Sequence, residues 1–326
     1  MPNDWATQFT EEALAKVDAF IAAHPEYTRR GVEQPGQGAT NRVIFARRGG
    51  ELVVLKVFCE AERKERECFG LRHWRDTGLV PEVIWEDSAT LLVMTYVPGV
   101  YLSRSREDDG EAIWRAGCRE TGRAIGALTQ VPLDAADREA FESQFYRDTP
   151  TLVAYLGRIL SLGRSINDRD PDFRGDYWRA SLDFIEAELP RILAQPAVLY
   201  HQDVGNLHVQ HGSFMGFFDL EMCRVGCAAM QLGSALGFDE EFDDGGAAGW
   251  PPFREGWETA TGRPLGAADL RAAWAARLLL EWRVISRYLS YDGTPGTGYP
   301  WATPADPVRC RTSLDAIENM IGVERR

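Results

Sequence analysis

The chain has no stretch of eighteen or so consecutive apolar residues, the length a bilayer-spanning helix requires. Its most apolar run, "AAWAARLLLEW", is interrupted by Arg277 and Glu281, so no membrane span is expected. Basic charge is scarce as well: 36 Lys and Arg stand against 49 Asp and Glu, a net charge of −13. Such a surface repels phosphate backbones and argues against a nucleic-acid partner. The opening segment, "MPNDWATQFTEEAL", lacks an apolar signal core, and a cytoplasmic chain is expected. Six cysteines are scattered at 59, 68, 118, 223, 227 and 310 without framework spacing, which fits reduced thiols. Cys223 and Cys227 have no second pair to complete a structural zinc site. Internal repeats and low-complexity tracts are missing too.

What is present is the profile of a globular protein, with 44% apolar and 26% charged residues over 326 positions. That length carries a sizeable core and two lobes. Residues 10–23 have helical spacing with Thr10 as N-cap. Two strands follow, about 42–47 and 52–58, joined by the turn Arg48-Gly49-Gly50. Residues 60–76 read as a charged helix with one apolar side carrying Phe69, Leu71 and Trp74. "EVIWED" and "TLLVMTYV" read as a second hairpin. Beyond residue 100 the pattern changes to long amphipathic helices, near 111–129, 150–163, 176–193, 267–290 and 306–322. The fold class expected is α+β: a small β-rich lobe over 1–97, a linker near 97–103, and a larger, mainly helical lobe over 98–326.

Three constellations carry chemistry. Gly36 and Gly38, followed by Ala39-Thr40-Asn41, lie just before a strand. Small residues there let backbone N–H groups approach a phosphate. Lys56, in "VVLKVF", shares a strand face with Val54 and Phe58. An ammonium inside an apolar run is costly unless it reaches water or meets an anion. Glu62, Glu65 and Glu67 on the next helix are the candidate partners. The third constellation is "HQDVGNLHVQHGSFMGFFDLE", which places His201, Asp203, Asn206, His208, His211 and Asp219 close together. A carboxylate in a loop accepts a proton from a hydroxyl nucleophile, and an Asn with a second Asp supplies the oxygens Mg²⁺ prefers. A metal-dependent hydrolase would instead use His201, Asp203, His208 and His211 as ligands, but that reading leaves Lys56 and the Gly-rich turn unexplained.

The order of these features (Gly-rich turn, strand Lys, helix Glu, apolar hairpin, H-x-D, Asn, strand-borne Asp) is that of protein-kinase-like enzymes. It most resembles the aminoglycoside phosphotransferase and choline kinase-like family of small-molecule kinases, over roughly residues 30–240. The resemblance implies that "GQGATNRVIFA" is the nucleotide loop, with Gly36, Gly38, Thr40 and Asn41 as its binding residues. It favours Glu67 over Glu62 and Glu65 as partner of Lys56, and makes Met94, Thr95, Tyr96 and Val97 the adenine-binding hinge. It implies Asp203 as catalytic base, Asn206 and Asp219 as Mg²⁺ ligands, and ATP or GTP as phosphoryl donor. His201 reads as an anchor of the loop.

The sequence departs from the family in places. Asn206 follows Asp203 by three residues, two fewer than the family's H-x-D-x-x-x-x-N, so a nucleotide-binding homologue with impaired catalysis is an alternative. Cys227 and Gln231 stand where acidic residues are usual, and Thr129 where a His is common.

Asp239, Glu240, Glu241, Asp243 and Asp244 crowd six positions, with Trp250 and Phe253 close behind. In the resembling family the acceptor binds in the helical lobe. A cationic or polyhydroxylated small-molecule acceptor is therefore expected, held partly by Asp239, Glu240, Asp243 and Asp244. Neutralising those four together is expected to raise the acceptor's KM and leave that of ATP unchanged, as steady-state kinetics would read.

Overall fold

The structure is a computed structural model and describes residues 4–35, 41–146, 151–169, 176–236 and 249–289. Gly36, Gly38 and Thr40, the acidic run from Asp239 to Asp244, and the helix expected at 306–322 lie outside the described residues. The chain divides into two units: Met1–Pro98 with Gly216–Met222, and Gly99–Met215 with Cys223–Arg326.

The first unit is built on a five-stranded antiparallel sheet of β1 (Tyr27–Thr28), β2 (Arg42–Arg48), β3 (Glu51–Val57), β4 (Val83–Glu86) and β5 (Leu91–Thr95). The strand order is β1-β2-β3-β5-β4. β2 and β3 are joined by Gly49-Gly50, with φ of 57° and 97°. Two successive positive φ values are the two-residue hairpin turn whose twist suits the flanking strands, and glycine adopts them without strain. One face of the sheet buries Val53, Leu55 and Val57 against α1 (Asp4–Ala23) through Ala13, Val17 and Phe20. Those three helix positions fall at i, i+4 and i+7, one stripe of the helix.

Alternation then sends Lys56 to the opposite face, the side of α2 (Ala61–His73). The expected apolar side of that helix is only part of its buried surface. Leu71 is buried, but so are Arg63, Lys64, Arg66 and Glu67. Ion pairs rather than hydrocarbon therefore hold much of this helix in place. The chain returns to the first unit at Gly216–Met222, where the Phe217 N–H donates to the Leu79 carbonyl at 2.8 Å. A 3-10 turn at Leu220–Met222 then packs on α2.

The second unit is mainly helical. It comprises α3 (Leu102–Asp109), α4 (Glu111–Leu128), α5 (Ala135–Phe145), α6 (Leu152–Arg169), α7 (Asp176–Leu193), α8 (Ala228–Ala235), α9 (Trp250–Thr261) and α10 (Ala267–Leu289). The expected helices at 111–129, 176–193 and 267–290 agree within a residue. The short helices α3, α5, α8 and α9 were not anticipated. The apolar run that might have suggested a membrane is a core helix instead, with Ala272, Ala273, Ala275, Ala276 and Trp282 buried in α10. No helix among the described residues is long and apolar enough to cross a membrane.

Two small sheets carry the polar stretch. β6 (Val198–Tyr200) pairs with β9 (Arg224–Gly226), and β7 (Leu207–Gln210) with β8 (Ser213–Phe217). The β7–β8 turn is His211-Gly212, with φ of 48° and 81°, so His211 serves hairpin geometry.

Helices α4 and α9 approach closely through glycines. A Cβ added at Gly122 would run into the carbonyl oxygen of Phe253, and one at Gly256 into that of Arg119. Neither backbone oxygen can swing away, so the helices would have to part. Gly256→Ala is expected to destabilise the second unit by about 1–3 kcal/mol, seen as a lower urea midpoint.

Candidate active site

Lys56 is the centre of the first unit's polar face. Its Nζ lies 2.5 Å from Glu67 Oε2 and donates a second bond to the Asp219 carboxylate. It also sits 4.8 Å from the centroid of the Phe58 ring. Of the three helix carboxylates considered as partners, Glu67 is the one that meets it. Glu62 pairs with Arg66 at 2.6 Å, and Glu65 faces solvent.

Asp219 reaches this position through an unusual backbone. Its φ is +60°, a left-handed value that few residues other than glycine adopt. Such outliers persist where the surroundings enforce them, and they gather at functional sites. Two residues on, the buried Glu221 joins the group. It accepts 2.7 Å from Arg63 Nη1, its second oxygen takes a hydrogen bond from Asn41 Nδ2, and its backbone carbonyl accepts from Arg66 Nη1 at 3.3 Å. Asn41, expected at the nucleotide loop, is itself buried, and its Oδ1 accepts the Cys59 N–H at 3.3 Å.

The electrostatics follow from burial. Desolvation opposes the Lys56 charge, yet attraction from Asp219, Glu67 and Glu221 outweighs it and moves the ammonium's pKa up. Burial pushes the Glu67 carboxyl up as well, with Asp219 and Glu221 adding to the shift and Lys56 opposing it. Carboxylate oxygens of Glu67, Asp219 and Glu221 lie within 4.8 Å of one another. Arg63 already faces Glu221, which leaves Lys56 alone between Glu67 and Asp219. A set of hard carboxylate oxygens this close together is of the donor type that suits a divalent cation such as Mg²⁺. Among the described residues this is the only group of His, Cys, Asp or Glu side chains close enough to share an ion, and His201, His208 and His211 are not in it.

The residues expected to form the hinge lie in the same unit. Met94 is buried opposite Val54, the Thr95 hydroxyl accepts the Glu82 N–H at 2.9 Å, Tyr96 meets Phe45 edge-on, and Val97 is buried.

The loop with Asp203 and Asn206 belongs to the second unit. It is a tight turn in which the Asn206 N–H donates to the Asp203 carbonyl at 3.0 Å and the Leu207 N–H to Gly205 at 2.9 Å. A three-residue interval closes in this way, which is how the chain accommodates a loop two residues short. Its entrance is fixed by Gln231. The amide oxygen accepts the His201 N–H at 2.8 Å, and the amide nitrogen donates to the His201 carbonyl at 3.3 Å. A neutral amide thus stands where an acid was expected and bonds the backbone in both directions. Thr129 turns its hydroxyl back on the Gly126 carbonyl at 2.7 Å, closing helix α4.

Residues 31–279 match the phosphotransferase enzyme family, well over half of the sequence. The chain belongs to that family. It is accordingly an enzyme of the small-molecule kinase class. No curated protein matches it. Among solved structures, a choline/ethanolamine kinase family protein from Mesorhizobium loti is 16% identical with a TM-score of 0.60, over 95% of this chain and 99% of that one. Plasmodium vivax ethanolamine kinase is 15% identical, TM-score 0.60, over 87% and 81%. A thermostable mutant of the aminoglycoside phosphotransferase APH(4)-Ia, in ternary complex with AMP-PNP and hygromycin B, is 15% identical, TM-score 0.60, over 91% and 96%. At these identities the likeness is one of fold, and the fold shared is the protein-kinase-like α+β architecture.

Glu221, Arg63 and Arg66 are the members of the phosphotransferase's charged cluster that sequence reasoning left unassigned. The acid in "DLE", two residues past Asp219, was the signal for the first. The two arginines gave none, since a surface arginine on a charged helix reads the same.

Lys56→Met removes one half of a buried pair and leaves Glu67 facing Asp219. It is expected to destabilise the protein by about 3–5 kcal/mol, and Lys56→Met with Glu67→Leu to recover part of that loss. Denaturant midpoints of the two variants check this.

Proposed function

We propose that this phosphotransferase moves the γ-phosphoryl group of ATP or GTP to a hydroxyl of a small molecule of aminoglycoside or amino-alcohol kind. The observation that carries the reading is the buried Lys56 held between Glu67 and Asp219. An ammonium fixed in this way is positioned to grip the α- and β-phosphates. Gly36, Gly38, Thr40 and Asn41 form the loop over the phosphates, and Met94 to Val97 receive the base. Asp219 and Asn206 would hold Mg²⁺, which when bound offsets the charge of the nucleotide's phosphates. Asp203 orients the acceptor hydroxyl and takes its proton as the new O–P bond forms and the bond between the γ-phosphorus and the bridging oxygen breaks, releasing the nucleoside diphosphate.

The acceptor class draws support from relatives whose own names include ethanolamine kinase and aminoglycoside phosphotransferase, and from the acidic run after residue 238. The second reading, a homologue that binds nucleotide without turnover, is favoured by one observation, the shortened loop between Asp203 and Asn206.

The test is phosphotransfer with MgATP and MgGTP across amine-bearing, sugar and amino-acid acceptors. Asp203→Asn is expected to fold and bind nucleotide yet turn over roughly a hundredfold to ten-thousandfold more slowly. Asp219→Ala is expected to weaken use of the Mg-nucleotide. Near-normal turnover in Asp203→Asn would show that the base is elsewhere, and full activity in Asp219→Ala would overturn the assignment.

A further inference from the structure

Gln202 sits between the buried His201 and Asp203, and it is buried as well. Its amide oxygen accepts a hydrogen bond from Arg224 Nε at 3.1 Å. Arg224 lies on β9, directly across from Tyr200 in the β6–β9 register. Its guanidinium is buried and centred 5.2 Å from the Tyr155 ring centroid and 5.9 Å from that of Tyr146. Those two rings are parallel, 5.5 Å apart, and the Tyr146 hydroxyl donates to the Val225 carbonyl at 3.1 Å. No Asp or Glu among the described residues forms an ion pair with Arg224. A guanidinium taken out of water with ring faces and a neutral oxygen around it, among the described residues, is a costly arrangement for a fold to keep. Its Nε bond goes to the side chain beside the proposed base.

We infer that Arg224, walled by Tyr146 and Tyr155 and acting through Gln202, is a positioning residue that fixes the backbone bearing Asp203. This rests on the reading of Asp203 as the base. The physical logic concerns the short loop. With two residues fewer between base and Asn206, the tight turn, closed by the Asn206 N–H on the Asp203 carbonyl, sets Asp203 from its C-terminal side. The N-terminal side must then be fixed by neighbouring groups. Gln231 holds the backbone of His201 and Arg224 holds the side chain of Gln202, so successive residues before Asp203 are tied to β9 and α8. A planar guanidinium on aromatic faces resists the rotation that a lysine in its place would allow.

The test uses the full chain and the variants Gln202→Leu, Gln202→Glu, Arg224→Met and the double Gln202→Leu/Arg224→Met. Hydrogen exchange of the amides at 201–206 is read first, without any acceptor. Exchange there is expected to rise roughly tenfold in Gln202→Leu and in Arg224→Met, and no further in the double variant. Phosphotransfer from MgATP to ethanolamine and to hygromycin B is read next. kcat is expected to fall roughly tenfold to a hundredfold in both single variants, the scale of a hydrogen bond to a charged group. KM for MgATP should stay within about twofold. Gln202→Glu keeps the accepting oxygen and is expected to retain most of the rate. Should Arg224→Met fail to fold, Gln202→Leu decides alone. Unchanged exchange at 201–206 in Gln202→Leu overturns the inference, and so does a lower melting temperature with unchanged kcat. A wild type inactive on both acceptors, or an Asp203→Asn variant with full rate, counts against the functional reading instead, and the exchange result still decides whether Arg224 holds the loop.

Discussion

A single ammonium placed inside a sheet governs the first unit. Alternation along β3 commits odd-numbered residues to the apolar face against α1, so Lys56 must enter the other face whatever surrounds it. Its charge there is tolerable only if anions are built around it. The rest of that unit follows from this demand. Helix α2 lies where Glu67 reaches Nζ, and the chain returns at Gly216–Met222 to deliver Asp219. Asp219 takes a left-handed backbone to do so, a local strain that the surrounding bonds sustain. Bringing two carboxylates to one ammonium, with Glu221 beside them, in turn requires further cations, and Arg63 supplies one to Glu221. This is why α2 buries Arg63 and Arg66 along with Glu67, where an ordinary helix would bury hydrocarbon; the buried Lys64 meets Glu86 and Asp87 instead.

Much of this was legible in the sequence, for identifiable reasons. The β2–β3 hairpin announced itself through Gly49-Gly50 between two apolar runs, and the long helices through their periodicity. Lys56 stood out because a charge inside an apolar run demands explanation; the next helix offered three acids as its partner, and the family resemblance favoured Glu67. The short helices α3, α5 and α8 carry too few turns to show a period. The buried face of α2 was hidden because its stripe is polar, and a polar stripe reads as a solvated one. Glu221 was in plain view, yet nothing in a sequence says that an acid two residues past a strand-borne Asp turns back to meet Asn41 and Arg63.

The departures from the family pattern proved to be answered locally. Gln231 lacks the negative charge expected at its position, but an amide offers both an acceptor and a donor. It therefore satisfies the N–H and the carbonyl of His201 together, which a carboxylate cannot do. The missing residues between Asp203 and Asn206 are absorbed by one turn closed by a backbone hydrogen bond. A carboxylate at position 231, which is fully buried, would have brought a further charge out of water, and the amide avoids that cost.

The two units thus solve opposite electrostatic problems. The first concentrates charge: one ammonium, two guanidinium groups and three carboxylates meet at β3, α2 and the turn after Asp219, and each is tolerable only in the presence of the others. The second holds the backbone before Asp203 through the neutral amides of Gln231 and Gln202, the latter bonded to the buried Arg224. On the proposed function these environments suit their tasks. A group that grips phosphates needs fixed charge because its ligand is an anion whose hydration must be replaced, whereas charges close to a proton acceptor would shift its basicity. What the loop between Asp203 and Asn206 lacks in length it regains in fixed geometry, through the turn on one side and the Gln231 amide on the other.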